Sequence, residues 1–380
     1  MSSSASSTSR GGSRAIEIDG SAGEGGGQIL RTSLSCAVLC GCCVRIVKIR
    51  ANRPKPGLQR QHLACVEALA ALSGSTVTGG ALGSCELTFD ATQAAVAGGA
   101  FSFSIGSAGS TTLVLQTLLP VLLRLSPRPS SVSVVGGTHN PMAPSFDFLA
   151  DTLAPALGSA GARLALHMER PGFYPAGGGT LSATVQPWAD ATPLELRERG
   201  ALVSRSAVAL LANLPSDVGR RECGELTRLL GWPAASAVTR RVEASGSGNA
   251  LLATLRYANV SEVICALGER GKRGEAVASE VAAGVSAYEG EGPSGAPVSE
   301  HLADQLLLPL LVGAGGVFEC ASVSSHLTTN AEVLRQFFGR DAVVIEQLRP
   351  GRWQVTVAAA PEPMRPRPLA AGGDGGKISS

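Results

Sequence analysis

Two stretches decide the fold: GSAGEGGGQILR at residues 20–31 and GSAGSTTLVLQTLLP at residues 106–120. Each opens on the same tetrapeptide and runs into an apolar helical period that carries a glutamine, Gln28 in the first and Gln116 in the second. Farther along, RANRPKPGLQRQHLACVEALAALSG aligns with GTHNPMAPSFDFLADTLAPALGSAG and sets Asn52 opposite Asn140. Gly106 follows Gly20 by 86 residues and Asn140 follows Asn52 by 88. Self-similarity at so constant an offset means one supersecondary unit used twice.

A third copy begins near SEHLADQLLLPLLVGAG, where Gln305 takes the place of the earlier glutamines. It continues into SSHLTTNAEVLRQFFG, where Asn330 is expected opposite Asn52 and Asn140. Residues 187–275 break the pattern. They lack the glycine tetrapeptide and read as strand ALVSRSAVALLANL, helix RRECGELTRLLG, and strands ALLATLRY and SEVICAL. The expected architecture is therefore α/β (α+β), with three repeated units of two helices packed on a four-stranded sheet, plus a smaller inserted α/β domain. The units occupy residues 15–186 and 276–360 and the insert 187–275, with disordered tails at 1–14 and 361–380.

Bulk composition sets outer limits. With 380 residues, 44% hydrophobic and 16% charged, the chain can bury a large core and is not a disordered polymer. Its 47 glycines and 4% aromatic content point to many tight turns and a core of small aliphatics. A net charge of +2 carries no general nucleic-acid signature. Yet between residues 25 and 66 there is no Asp or Glu, while Arg31, Arg45, Lys48, Arg50, Arg53, Lys55 and Arg60 all fall there. Such a window is either a solvated basic face or a grip on an anionic substrate.

Nine cysteines sit mostly in apolar patterns, which suits buried thiols in a reducing compartment. Cys40, Cys42 and Cys43 have no partner cluster elsewhere in the sequence, so a structural zinc site is not expected. The opening MSSSASSTSRGGSR lacks the apolar segment of a secretion signal. The longest apolar stretch, TTLVLQTLLPVLLRL, contains Gln116 and Pro120 and is too short for a comfortable bilayer span. An intracellular protein is expected, nuclear or cytoplasmic, not secreted and without a membrane partner.

Motifs for common phosphate chemistry are missing. The four lysines, Lys48, Lys55, Lys272 and Lys377, stand outside any Walker A or K-x-D-G context, and no G-x-S-x-G elbow occurs. SSHLTTN at residues 324–330 is a helix start, since its hydroxyls and amide suit the free N–H groups of a first turn. The same groups around His326 also make a place for a phosphate beside a nucleophile. If the chain forms a covalent nucleotide intermediate, histidine is the better candidate, since no lysine motif stands ready.

Taken together, EIDGSAGEGGGQILRTSLS, RANRPKPGLQRQHL, IGSAGSTTLVLQTLLP, GFYPAGGG, HLADQLLLP and SSHLTTNAEV resemble the RNA 3′-terminal phosphate cyclase family, in order, from about residue 15 to 356. The resemblance implies a ligase that forms phosphoric ester bonds. It would convert an RNA 3′-phosphate to a 2′,3′-cyclic phosphate with ATP, through a histidine–AMP intermediate and an RNA adenylate. By the same resemblance His326 is the catalytic histidine, and Gln116 with His301, Leu302, Ala303, Asp304 and Gln305 match ATP-binding positions. Glu24, Arg31, Arg53, Gln61 and His62 match further active-site positions, and Arg50 with Arg31 and Arg53 is expected to hold the terminal phosphate. A divalent ion, Mg2+ or Mn2+, is expected on Asp304 or Glu24. His139 and His167 read as histidines without chemistry. The alternatives are a non-catalytic cyclase-like ribosome-biogenesis factor, which lacks the nucleophile, and an enolpyruvyl transferase built from related repeats.

Overall fold

The computed structural model describes residues 15–290 and 295–361. Apart from Pro361, the expected tails lie outside the described residues. The first unit consists of β1 (Ile16–Asp19), α1 (Gly27–Cys40), β2 (Cys43–Val47), α2 (Arg60–Ser73), β3 (Thr76–Thr78) and β4 (Leu87–Asp90). Its sheet order is β1-β2-β4-β3, with β1 parallel to β2 and β4 antiparallel to both neighbours.

The second unit repeats this plan. It comprises β5 (Ala100–Ser104), α3 (Thr111–Leu125), β6 (Ser130–Gly136), α4 (Phe146–Phe148), α5 (Ala154–Ser159), β7 (Leu164–Arg170) and β8 (Gly179–Val185). A π-helical turn, Leu149–Leu153, joins α4 to α5 into one helix just before Pro155, which has no N–H to give. The sheet order is again β5-β6-β8-β7.

The third unit is divided. Its first strand, β9 (Leu194–Leu196), precedes the insert, which consists of β10 (Leu202–Ala212), α6 (Ser216–Leu230), β11 (Ala237–Val242), β12 (Gly248–Tyr257), β13 (Ser261–Leu267) and α7 (Gly274–Glu289). The unit then resumes with α8 (Glu300–Val312), β14 (Gly316–Cys320), α9 (Ser325–Phe338), β15 (Val343–Arg349) and β16 (Arg352–Val357). Its sheet, β9-β14-β16-β15, has the same order and directions as the other two. The insert's sheet runs β11-β10-β12-β13.

Two elements lie across the boundaries expected at 187 and 275. β9 falls inside 187–275 but hydrogen-bonds to β14 of the third unit. α7 lies almost wholly beyond residue 275 yet packs on α6, β12 and β13. Three residues are too few to show a strand period, and α7 follows the insert without a glycine-rich break.

The sheets are on the outside and the helices meet at the centre. α1 packs on α2, α3 and α9, while α8 touches α3 and α9. One continuous core joins all three units, from Ile29 and Leu34 through Leu115 and Leu118 to Leu306 and Leu334. A second core, with Leu226, Leu251, Val281 and Val285, belongs to the insert. All nine cysteines are unpaired. Among the described residues no helix is long and apolar enough to cross a membrane.

The asparagine correspondence does not extend to the third unit. Asn52 and Asn140 lie in loops ahead of α2 and α4, whereas Asn330 sits inside α9, buried. The third unit reaches its second helix through a short connection after β14, so the long loop that holds the asparagine in the other units is missing.

Candidate active site

Where the ends of α1, α3, α8 and α9 converge there is a cavity of about 490 Å³, within the range usual for small-ligand sites. Its polar lining includes Gln28, Arg31, Gln116, Asp304, Gln305 and His326. Its apolar lining includes Leu113, Leu119, Phe148, Leu153 and Leu308. One wall comes from the insert, where Val263, Cys265 and Leu267 alternate along β13 with the two-residue period of a strand.

His326 is the second residue of α9, exposed, just inside the start that Ser324 caps by accepting a hydrogen bond from Leu327 N–H at 3.0 Å. The helix is anchored on both sides. Asn330 Oδ1 accepts from Thr32 Oγ1 at 2.8 Å and its Nδ2 donates to the Asp304 carbonyl at 2.8 Å. Thr329 Oγ1 accepts from the Glu24 N–H at 3.0 Å, which ties the glycine-rich loop of the first unit to α9.

Gln28 sets the state of the histidine. Its Nε2 donates to Asp304 Oδ2 at 2.9 Å, so its Oε1 is left facing His326 Nδ1, also at 2.9 Å. A carbonyl oxygen can only accept, and Nδ1 must therefore carry the proton. In the neutral ring that leaves the lone pair on Nε2. Burial pushes the Asp304 carboxyl up to about 7, against the opposing pull of Gln28 and Arg31. Arg31 is half-buried, and the loss of water around its guanidinium lowers its pKa, while Glu24 and Asp304 nearby favour its charge.

A second group of donors adjoins the cavity through Arg31. α1 starts at Gly26 with no side-chain cap, whereas α3, α8 and α9 are capped by Ser110, Ser299 and Ser324. A Cβ at Gly27 would run into His62 Nε2 and would lie 2.9 Å from an Arg31 guanidinium nitrogen. Glycine is thus what lets these groups approach the open helix end. His62 Nδ1 accepts from Gln59 N–H at 3.2 Å, leaving Nε2 as the donor. Burial, followed by Arg31 and Arg50, holds the His62 pKa down at about 3, so its ring is neutral. Arg53 pairs with the buried Glu24 carboxylate through Oε2, while Glu24 Oε1 is buried without a partner.

Not every expected residue reaches the cavity. His301 does, but Leu302 and Ala303 are fully buried in the core, because five consecutive residues of a helix cannot all face one side. Glu24, Arg50, Arg53, Gln61 and His62 lie outside its lining. Arg50 has φ of 53° and gives its guanidinium to the carbonyls of Lys55 and Gly57 at 2.5 and 3.0 Å, tying its own loop. Gln61 Oε1 accepts from the Ser110 N–H at 2.7 Å and so joins α2 to the cap of α3. Gln116 and Gln305, both in the lining, hydrogen-bond to each other, with Gln116 Nε2 donating to Gln305 Oε1. His139 lines the cavity but is buried, bonded to Asp147 at 2.9 Å and stacked on Phe173.

Sequence reasoning missed Gln28 as a site residue, although the recurrence of a glutamine in each first helix was visible. The β13 wall also went unforeseen, since its residues are ordinary for a strand. Among the described residues no three His, Cys, Asp or Glu side chains cluster as a metal-holding group.

The RNA 3′-terminal phosphate cyclase profile matches residues 22–344. The chain belongs to that family. It is 47% identical over 323 residues to the RNA 3′-terminal phosphate cyclase of Koribacter versatilis, covering 85% of this chain and 89% of that one. The proteins of the same description from Ralstonia nicotianae and Pseudomonas fluorescens are 46% and 45% identical, over 91% and 92% of their lengths. The matched span includes His326, the cavity helices, the α1 donor group and the insert.

Proposed function

We propose that this member of the family uses ATP to convert an RNA 3′-phosphate into a 2′,3′-cyclic phosphate by way of His326. The supporting observation is the pair of bonds through Gln28, which leaves the lone pair of an exposed imidazole free at Nε2 beside the cavity. Nε2 attacks the α-phosphorus of ATP, forming a P–N bond as pyrophosphate leaves. An oxygen of the RNA 3′-phosphate then displaces the imidazole from phosphorus, giving an RNA adenylate and restoring His326. Finally the 2′-OH loses its proton and closes on the 3′-phosphorus, and AMP departs.

The cavity suits the nucleoside of ATP, with its apolar side chains available to the base and Gln116, His301, Asp304 and Gln305 as polar partners. The RNA phosphate fits the open start of α1, where Gly27, Arg31, His62 and Arg53 offer donors. Mg2+ or Mn2+ would be held by Glu24, whose Oε1 lacks a partner, or by Asp304, and supplies neutralisation of the pyrophosphate charge. Incubation with α-labelled ATP tests the scheme. Wild-type protein should take up one acid-labile, base-stable label, and His326→Asn should take up none; an acid-stable label, or labelled His326→Asn, would end the histidine scheme.

A further inference from the structure

The GFYPAGGG loop at residues 172–179 takes no part in the chemistry above, yet it is held firmly against His139, which lines the cavity. His139 and Phe173 form a parallel bridge, and their rings stack with centroids 5.2 Å apart. A Cβ at Gly177, where φ is 63°, would lie 2.7 Å from the Ala108 Cα, and one at Gly178 would lie 2.6 Å from Ser245 Oγ. Arg170 Nε donates to the Gly178 carbonyl at 2.9 Å. The loop is thus wedged between the glycine loop of the second unit and the insert. Tyr174 nonetheless stands 67% exposed.

The neighbouring segment has the same character. Residues 140–142 follow His139 just as Tyr174 and Pro175 follow its bridge partner Phe173. Met142 there lines the cavity, is 92% exposed and has φ of 60°, an unfavourable backbone conformation for a residue with a side chain. A path of contacts also leads from the α1 donor group to this rim. His62 is followed back by Gln61, which holds Ser110; the loop before Ser110 includes Ala108, against which Gly177 packs.

We propose that Tyr174 is a stacking platform for an unpaired base near the 3′ end of the RNA, with its terminal phosphate at the start of α1. An aromatic ring fixed by its backbone and left bare is the usual means of holding single-stranded RNA, because every base has a face to stack. Tyr174 lies outside the cavity lining, so it meets what projects from the site rather than the nucleotide within it. The inference takes the identity of the ligand from the proposed function, and its test reads RNA binding without ATP apart from AMP labelling, so the two can fail separately.

The experiment uses 3′-phosphorylated oligoribonucleotides carrying 2-aminopurine at each of the last four positions in turn, mixed with the full chain without ATP. At one position wild-type protein and Tyr174→Phe should quench the fluorescence, while Tyr174→Ala should not and should bind about 5- to 100-fold more weakly. Removing the base at that position should erase the difference between wild type and Tyr174→Ala. AMP labelling of Tyr174→Ala should match wild type; if it falls, the ring-preserving Tyr174→Phe decides. Equal quenching by wild type and Tyr174→Ala at every position, or lost quenching in Tyr174→Phe, would overturn the proposal.

Discussion

Gln28 uses both ends of its amide, one on Asp304 and the other on His326, and a side chain so committed acts on the reactivity of its neighbour more than on stability. Gln28→Leu should slow AMP uptake about 100-fold by freeing the ring to rotate and change tautomer. The same substitution should leave ATP binding within about threefold of wild type, as measured by equilibrium dialysis in the His326→Asn background. His62 gives a pH signature. Its pKa is held near 3 by burial and by two arginines, below the ordinary value of 6.5. Protonation therefore favours the unfolded chain, and stability present above about pH 6.5 is lost as pH falls toward 3. His62→Gln should lose less stability between pH 6.5 and 4 than wild type in urea titrations; parallel losses would show that the ring titrates normally. SSHLTTN by itself marked a helix start, which the cap at Ser324 bears out, and the role proposed for His326 came from the resemblance of the motifs taken together. Gln28 was visible only as the glutamine that recurs in each first helix, a pattern that says nothing of its bonds to Asp304 and His326.

Helix ends make the site, and they differ in a way that ties sequence to role. Ser110, Ser299 and Ser324 close the starts of three helices, while α1 begins on glycines with no side-chain cap. Satisfied amides fix a helix in place, and open amides with arginines beside them bind anions. Gly27→Ala should therefore disturb binding before it disturbs folding, because a Cβ there displaces His62 and Arg31. Wild-type protein should bind a 3′-phosphorylated oligoribonucleotide at least about tenfold more tightly than its 3′-hydroxyl counterpart, a gap of about 1.4 kcal/mol. Gly27→Ala should narrow that gap to about twofold; an unchanged preference would place the phosphate elsewhere. Long periodic elements such as α3 and β12 could be read from the chain directly. β9 could not, for three residues become a strand only because β14 lies alongside them. The Asn330 alignment failed for a related reason, since a shared residue type says little when the loop around it has been shortened.

At the scale of the molecule, three copies of one unit build the helical centre, and the insert supplies a wall that the repeats cannot. The repeat offsets made the three units legible, but the contact between insert and cavity depends on how separate parts of the chain meet. β13 carries that contact on one side with Val263, Cys265 and Leu267. From the same strand Glu262, 3% exposed, faces the return to the third unit, near Arg199 and Ser299, the cap of α8. Arg199 there lies over the Tyr288 ring at 4.0 Å and donates to the Ala296 carbonyl at 2.9 Å. Burial pushes the Glu262 carboxyl up to about 8, from an ordinary value of 4.5, with Ser299 and Arg199 opposing. The folded protein thus holds a proton there that the unfolded chain releases, and stability present below about pH 4.5 is lost as pH rises through about 8. Glu262→Gln keeps the shape and hydrogen bonding of the side chain without its charge. Relative to wild type it should gain a few kcal/mol in urea unfolding between pH 6 and pH 9. Its affinity for ATP at pH 9 should also be the greater of the two, because an ionised Glu262 strains the strand that walls the cavity and the helix start that carries His301 and Asp304. Identical stability profiles would mean that Glu262 ionises freely; a stability difference without an affinity difference would mean that the insert holds its wall in place by other contacts.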